Sequence, residues 1–137
     1  MRMSDKAYEA LCETIDSLSY DRNSPEFRAA LVRLTEAAED GNLDAAELPA
    51  EIRALPGSHY DPEAAYRWYY VAFSHQGYVM EFNDLNNVPP NYGGVVGDFR
   101  NESMVSGLVE VLGFGRVREL DEEAARWLET RNVYKLR

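Results

Sequence analysis

The residues that most often carry chemistry, two histidines and one cysteine, are few in this 137-residue chain, and its serines have no companion base at a recognisable spacing. The glycine-rich run Tyr92-Gly-Gly-Val-Val-Gly97 lacks the Lys-Ser/Thr pair of a phosphate-binding loop, so we interpret it as a turn. His59 lies close to Asp61, but the aspartate is predicted to cap a helix, and His75 lies near that helix's end. Two histidines and one cysteine make a zinc site improbable. We predict no catalytic residue, no metal and no cofactor, which leaves a small enzyme using the glycine-rich run as the weakest alternative.

Charge is the stronger signal. The formal net charge is −10, and the middle of the chain (residues 34–99) holds eleven acidic residues against two arginines. Such a surface steers a basic partner towards itself and repels DNA and RNA. The alternative is a charged surface that serves only solubility. We therefore predict a basic protein partner and no nucleic acid.

Nothing in the sequence indicates a membrane or an export signal. No apolar run approaches the roughly 20 residues that span a bilayer. The first residues lack the apolar core of a signal peptide, and the single Cys12 allows no internal disulfide. We expect a cytoplasmic protein made of one domain, residues 1–137.

The hydrophobic pattern predicts an all-α fold of about six helices. Ser4 and Ser24 precede runs with apolar residues at helical spacing, and Asp61 with Pro62 marks another helix start. Pro49 is expected to end or kink the helical segment 43–55, giving two short turns. Helical pattern resumes after residue 101 and stops before Gly113. Two further limits are predicted, a helix stop at Gly77 and a last helix starting at Asp121.

One long segment, residues 78–100, follows neither a helical nor a strand period. It is rich in Asn, Gly and Pro, and a short hairpin is the weaker alternative. Long irregular insertions within a compact domain are uncommon and are often functional. The aromatic residues of this segment favour burial or contact over disorder.

The helix predicted from Asp61 is aromatic on nearly every side. Ala65, Trp68 and Tyr69 share a face that we expect to be core. We interpret Tyr66 and Tyr70, on a neighbouring face, as exposed anchors for a partner, since tyrosine is favoured in interface cores. Packing beneath the insertion is the alternative. The predicted partner-binding residues are Glu47, Glu51, Tyr66, Tyr70, Tyr78, Glu81, Phe82, Asp84, Tyr92 and Asp98.

Residues 61–68 and 121–127 echo one another, each with an acidic residue, an Ala-Ala step and a tryptophan. At Asp61, Ala65, Trp68-Tyr69, Ala72 and Gly77 the chain resembles the Sel-one-like repeats, which are relatives of the tetratricopeptide repeats. It departs from their pattern in having Phe73 where alanine is usual and a glycine one residue late. The upstream signature is degraded, and in the second segment Trp127 is out of register.

This resemblance implies antiparallel helix pairs stacked into a short right-handed superhelix that offers a binding surface and no catalytic residues. Small bacterial proteins of this type include immunity proteins encoded beside toxins. We therefore expect a cytoplasmic immunity protein that binds and neutralises a basic toxin domain. The alternative is an adaptor or regulatory repeat protein with an endogenous partner.

Overall fold

A computed structural model of the chain describes residues 3–75 and 103–130. Within these two ranges the backbone forms six α-helices, one short 3₁₀ turn and no strand, so the all-α prediction is confirmed. The predicted insertion and the helix stop at Gly77 lie outside the described residues. The elements are α1 (Asp5–Ser17), α2 (Pro25–Glu39), the 3₁₀ turn (Leu43–Ala45), α3 (Glu47–Ala54), α4 (Pro62–His75), α5 (Ser103–Leu112) and α6 (Phe114–Glu129).

Three predicted helix starts are confirmed by their caps. Ser4, Ser24 and Asp61 each accept a hydrogen bond from the backbone N–H three residues further on, at 3.2, 3.2 and 3.1 Å. Such a cap satisfies one of the N–H groups that the first helical turn leaves without a partner. Pro25 and Pro62 occupy first helical positions, where no N–H is needed.

The connection from α2 to the 3₁₀ turn is a tight glycine-based cap. Gly41 has a φ of 105°, a conformation that side chains rarely adopt. The N–H groups of Gly41 and Asn42 donate to the carbonyls of Ala38 and Ala37, each at 3.0 Å. The Asn42 side chain also donates to the Ala37 carbonyl and is fully buried. The turn between residues 39 and 44 is therefore held by both backbone and side-chain bonds.

Pro49 lies within the first turn of a helix and does not end it. The expected two short turns are observed as the 3₁₀ turn and the eight-residue α3, with Pro49 in the first turn of that helix. First-turn N–H groups have no intrahelical acceptor, so a proline is tolerated there. The segment does form two pieces, but the break lies before Pro49, so the prediction that this proline ends the helix is wrong.

Helix α4 joins two clusters of buried side chains. Val71 and Ala72 belong to the cluster formed chiefly by α1, α2 and the 3₁₀ turn. Ala65 and Tyr69 belong to the cluster formed with α5 and α6. Trp68 is partly buried against both. The fold is thus organised around α4, which explains why this helix is aromatic on nearly all sides.

The predicted exposure of Tyr66 and Tyr70 is wrong. Their exposed fractions are 0% and 3%, and both belong to the cluster with α5 and α6. The Tyr66 hydroxyl donates to Oδ1 of Asp121 at 2.7 Å, and this aspartate is itself buried. The neighbouring face of α4 is covered by helices rather than open to a partner.

The predicted start of the last helix at Asp121 is also wrong. Helix α6 begins at Phe114, directly after Gly113, and Asp121 lies in its middle. In the sequence Asp121 resembles a helix cap, but in the structure it accepts a hydrogen bond from Tyr66 in the core. The end of the preceding helix before Gly113 is confirmed, because α5 stops at Leu112.

The two echoed segments pack against each other. Tyr66 contacts Asp121, Arg67 contacts Glu123 at 3.4 Å, and the rings of Trp68 and Trp127 meet edge to face with centroids 5.8 Å apart. Residues further along α4 contact residues further along α6, so the two helices run in broadly the same direction at this interface. The antiparallel superhelix and the single domain stay predictions.

Arg116 forms ion pairs near the N-terminal ends of α4 and α6, at the interface between these helices. Arg116 donates from Nη2 and Nε to the two carboxylate oxygens of Glu63, at 2.7 and 2.9 Å, and also reaches Glu123. The hydrogen bond from Arg116 holds the pKa of Glu63 below its ordinary value, and the charges of Arg116 and Arg67 lower it further. Within the described ranges, no helix is long and apolar enough to cross a membrane.

Candidate partner-binding site

Glu47, one of the residues predicted to contact a basic partner, lines a cavity of about 390 Å³ beside α4. We call this space the acidic cavity. Its described lining comes from α1, the 3₁₀ turn, the start of α3 and the end of α4. This lining includes three carboxylates and one imidazole, and it otherwise contains apolar residues and a tyrosine. The lining residues are Asp5, Tyr8, Leu43, Asp44, Glu47, Ala72 and His75.

His75 and Asp44 form a polar pair in the lining of this cavity. Nε2 of His75 lies 3.0 Å from Oδ1 of Asp44, so Nε2 carries the hydrogen that the carboxylate accepts. The imidazole is 15% exposed and the Asp44 side chain 37%. The Tyr8 hydroxyl donates to the Asp44 backbone carbonyl at 3.2 Å. These bonds join the end of α4 and the first helix to the 3₁₀ turn.

Electrostatics around the cavity disfavour added negative charge. Burial raises the pKa of Tyr8 above its ordinary value, with smaller contributions from Cys12, Asp44 and Glu47. Burial likewise raises the pKa of Tyr69, and the carboxylates of Glu51 and Glu47 raise it further. Both phenols therefore stay neutral, but only Tyr8 lines the cavity, because Tyr69 is buried in the cluster with α5 and α6.

Glu47 and Glu51 lie one turn apart on α3 and interact with each other. Partial desolvation raises the pKa of Glu51, and the negative charge of Glu47 raises it further. Two carboxylates that repel each other gain from a cation placed between them. A lysine or arginine side chain from another protein supplies such a charge, and the cavity beside Glu47 is large enough to admit it.

The ten predicted partner-binding residues have different outcomes. Glu47 lines the cavity, while Glu51 lies one turn further along α3 and is not part of the described lining. Tyr66 and Tyr70 are core residues. The other six lie outside the described residues, and their roles stay predictions: Tyr78, Glu81, Phe82, Asp84, Tyr92 and Asp98.

Sequence reasoning missed Asp5, Tyr8 and His75 as members of one site. Asp5 and Tyr8 lie on α1 and His75 lies at the end of α4, so only the fold brings the histidine to the other two. Asp44 was included among the acids of the middle segment, without a role of its own. The one signal available for Tyr8 was its position on the apolar face of α1, where a hydroxyl needs a partner when it is partly buried.

The chemical capacity of the site is that of an ion-pairing pocket. A histidine held by an aspartate is also the arrangement of a general base with its orienting acid. The described lining places no serine, threonine or cysteine beside His75. Among residues 3–75 and 103–130 there is no group of three or more His, Cys, Asp or Glu side chains arranged to hold a metal ion.

Comparison of the chain with protein-family models, curated proteins and solved structures finds no match. The resemblance to the Sel-one-like repeats therefore rests only on the sequence pattern described above, chiefly on residues 61–77.

Proposed function

We propose that this protein binds another protein by taking a basic side chain of the partner into the acidic cavity. The observation that supports this most directly is the lining, in which Asp5, Asp44 and Glu47 surround about 390 Å³ of accessible space. Complementary charge across such a contact raises the association rate and rejects acidic partners. Replacing one carboxylate side chain that contacts a buried cation with a neutral side chain weakens binding by about 10-fold or more.

The narrower form of the proposal is an immunity protein that neutralises a basic toxin domain by covering its functional surface. The net charge of −10 supports a basic partner, and the resemblance of residues 61–77 supports a helical binding module. An adaptor with an endogenous basic partner is the second candidate, supported by the same residues. A toxin-like reading frame next to the gene, whose product is lethal without this protein, favours the immunity form.

The first experiment tests where a partner makes contact. A photo-crosslinking amino acid is placed at position 47 of the full chain in the native cell, and the captured protein and its contact peptide are identified by mass spectrometry. We expect one dominant adduct whose contact peptide is basic. The control position is Glu13, an exposed acid on α1 that does not line the cavity. Equal adducts at both positions, or an acidic contact peptide, contradict the proposal.

A further inference from the structure

A second cavity of about 390 Å³ lies along α4 and is lined by both tryptophans of the chain. The ring planes of Trp68 and Trp127 are at 87° to each other. Ala64, Val71 and Ala124 add small or apolar surface, and charged groups from α2, α4 and α6 complete the described lining. We call this space the tryptophan cavity. It has the mixed apolar and charged character typical of ligand pockets.

The charges of the tryptophan cavity favour a cation. Nη2 of Arg67 lies 3.4 Å from Glu123 and 3.8 Å from Glu63, and Arg116 pairs with the same two carboxylates, so these two arginines and two glutamates balance one another. The remaining charged group of the described lining is Glu39, an exposed residue at the end of α2. Tryptophan is the best aromatic partner for a cation placed over its ring face. A carboxylate beside the ring adds a charged acceptor for the same cation.

The tryptophan cavity and the acidic cavity follow one another along the same elements. Ala64, Trp68, Val71 and His75 are spaced as i, i+4, i+7 and i+11, which places them on one stripe of α4. The first three line the tryptophan cavity and the fourth lines the acidic cavity. The connection after α2 borders both, because Glu39 faces one cavity and residues 43 and 44 face the other.

We propose that the two cavities are successive subsites for one extended basic segment of the partner, with an arginine side chain of that segment in the tryptophan cavity. Arginine fits because its planar guanidinium stacks on an indole and pairs with a carboxylate at the same time. This inference rests on the proposed function, since the second subsite is the acidic cavity.

The spacing of the subsites sets the spacing of the basic residues. Trp68 and His75 are seven residues apart, which is about 10 Å along a helix axis. A peptide in the polyproline II conformation rises about 3.1 Å per residue with three residues per turn, so side chains three residues apart lie on the same side, about 9 Å from each other. A segment with arginine followed three positions later by arginine or lysine therefore reaches both cavities.

The test uses tryptophan fluorescence, because both tryptophans of the chain line this cavity. The full-length protein is titrated with peptides in which two arginines are separated by zero to six Gly or Ser residues. We expect a saturable fluorescence change and the tightest binding with two intervening residues. Glu39→Gln should weaken binding of this peptide about five-fold, the size of one cation contact, while Glu26→Gln, at an exposed acid near the start of α2 that lines neither cavity, should leave binding unchanged.

Parallel titrations of Glu47→Gln separate the two proposals. If Glu47→Gln weakens binding while spacing and Glu39→Gln have no effect, the two-subsite inference is overturned and the acidic cavity stands. If neither variant weakens binding, both proposals fail. A fluorescence change that grows with protein concentration in the absence of peptide identifies a second copy of the chain as the occupant and also overturns the inference.

Discussion

The hydrogen bond between Tyr66 and Asp121 places a carboxylate in the protein core. Both residues are buried, and the hydroxyl lies 2.7 Å from the carboxylate oxygen. A carboxylate removed from water is strongly destabilising unless donors replace the lost hydration. This bond also joins α4 to α6, so it contributes to the packing of two helices that are distant in sequence.

Removing the Tyr66 hydroxyl should therefore destabilise the fold. We expect Tyr66→Phe to lower the free energy of unfolding by about 1–3 kcal/mol, because the carboxylate loses a charge-assisted bond in the core. Denaturant unfolding measures the change. Tyr20→Phe is the matched control, since Tyr20 is 84% exposed and its change should be near zero. Equal effects of the two substitutions contradict the assignment.

Glu51 should make stability depend on pH in the opposite sense to Glu63. Its raised pKa means that the folded protein binds the proton more tightly than the unfolded chain. Stability is therefore lost as the pH rises from the ordinary carboxyl value of about 4.3 through the higher folded value. We expect Glu51→Gln to be more stable than the wild type at pH 7, by about 0.5 kcal/mol or less. Thermal unfolding at pH 4 and pH 7 checks this, and a difference of equal size at both values contradicts it.

Sequence reasoning failed at Tyr66 and Tyr70 for a physical reason. A helix with aromatic residues on most sides can be either central or partly exposed, and periodicity alone does not separate these cases. What decides is the covering by α5 and α6, which are more than 25 residues further along the chain. The Tyr66–Asp121 pair, 55 positions apart, has no local signature.

At the scale of elements, one glycine sets the boundary between α5 and α6. Gly113 has a φ of 84°, and an added Cβ at this position meets no atom within 4 Å. Gly113→Ala is therefore expected to destabilise through backbone conformation alone, by about 1–2 kcal/mol. Thermal or denaturant unfolding measures the change.

Gly107 is the matched control for this substitution. It lies inside α5, is exposed, and also has open space around an added Cβ. Gly107→Ala should stabilise the protein by up to about 1 kcal/mol, because alanine is the better helix former. The two alanine substitutions should thus have opposite signs, and equal signs contradict the assigned backbone role of Gly113.

Helix limits were predictable where the signal is local. A capping side chain followed by proline fixes the starts of α2 and α4, and Gly41 and Gly113 fix two ends. Asp121 misled because an acidic residue before Ala-Ala resembles a first turn. The spacing of the buried Val117, Leu120 and Ala124 shows that the apolar stripe of α6 starts earlier and passes through this position.

For the whole molecule, part of the acidic charge is concentrated at one cavity, which Asp5, Asp44 and Glu47 line. Charge counting along the sequence found Glu47 and Glu51, because clustered acids need no fold to be recognised. It did not find the cavity, since Asp5, Tyr8 and His75 come from elements as far as 70 residues apart. Tertiary packing, rather than any local pattern, turns a charged middle segment into a site.

The central claim is that a basic partner is held at the acidic cavity. It is tested most directly by the affinity of the crosslinked partner for the wild-type protein, for Glu47→Lys/Glu51→Lys and for Glu13→Lys/Glu36→Lys. The two double variants change the net charge equally, so they separate a local contact from general attraction. We predict that reversal at the cavity weakens binding at least about 10-fold while the control changes it less than about three-fold. Equal losses for the two double variants, or no loss for either, would contradict the account.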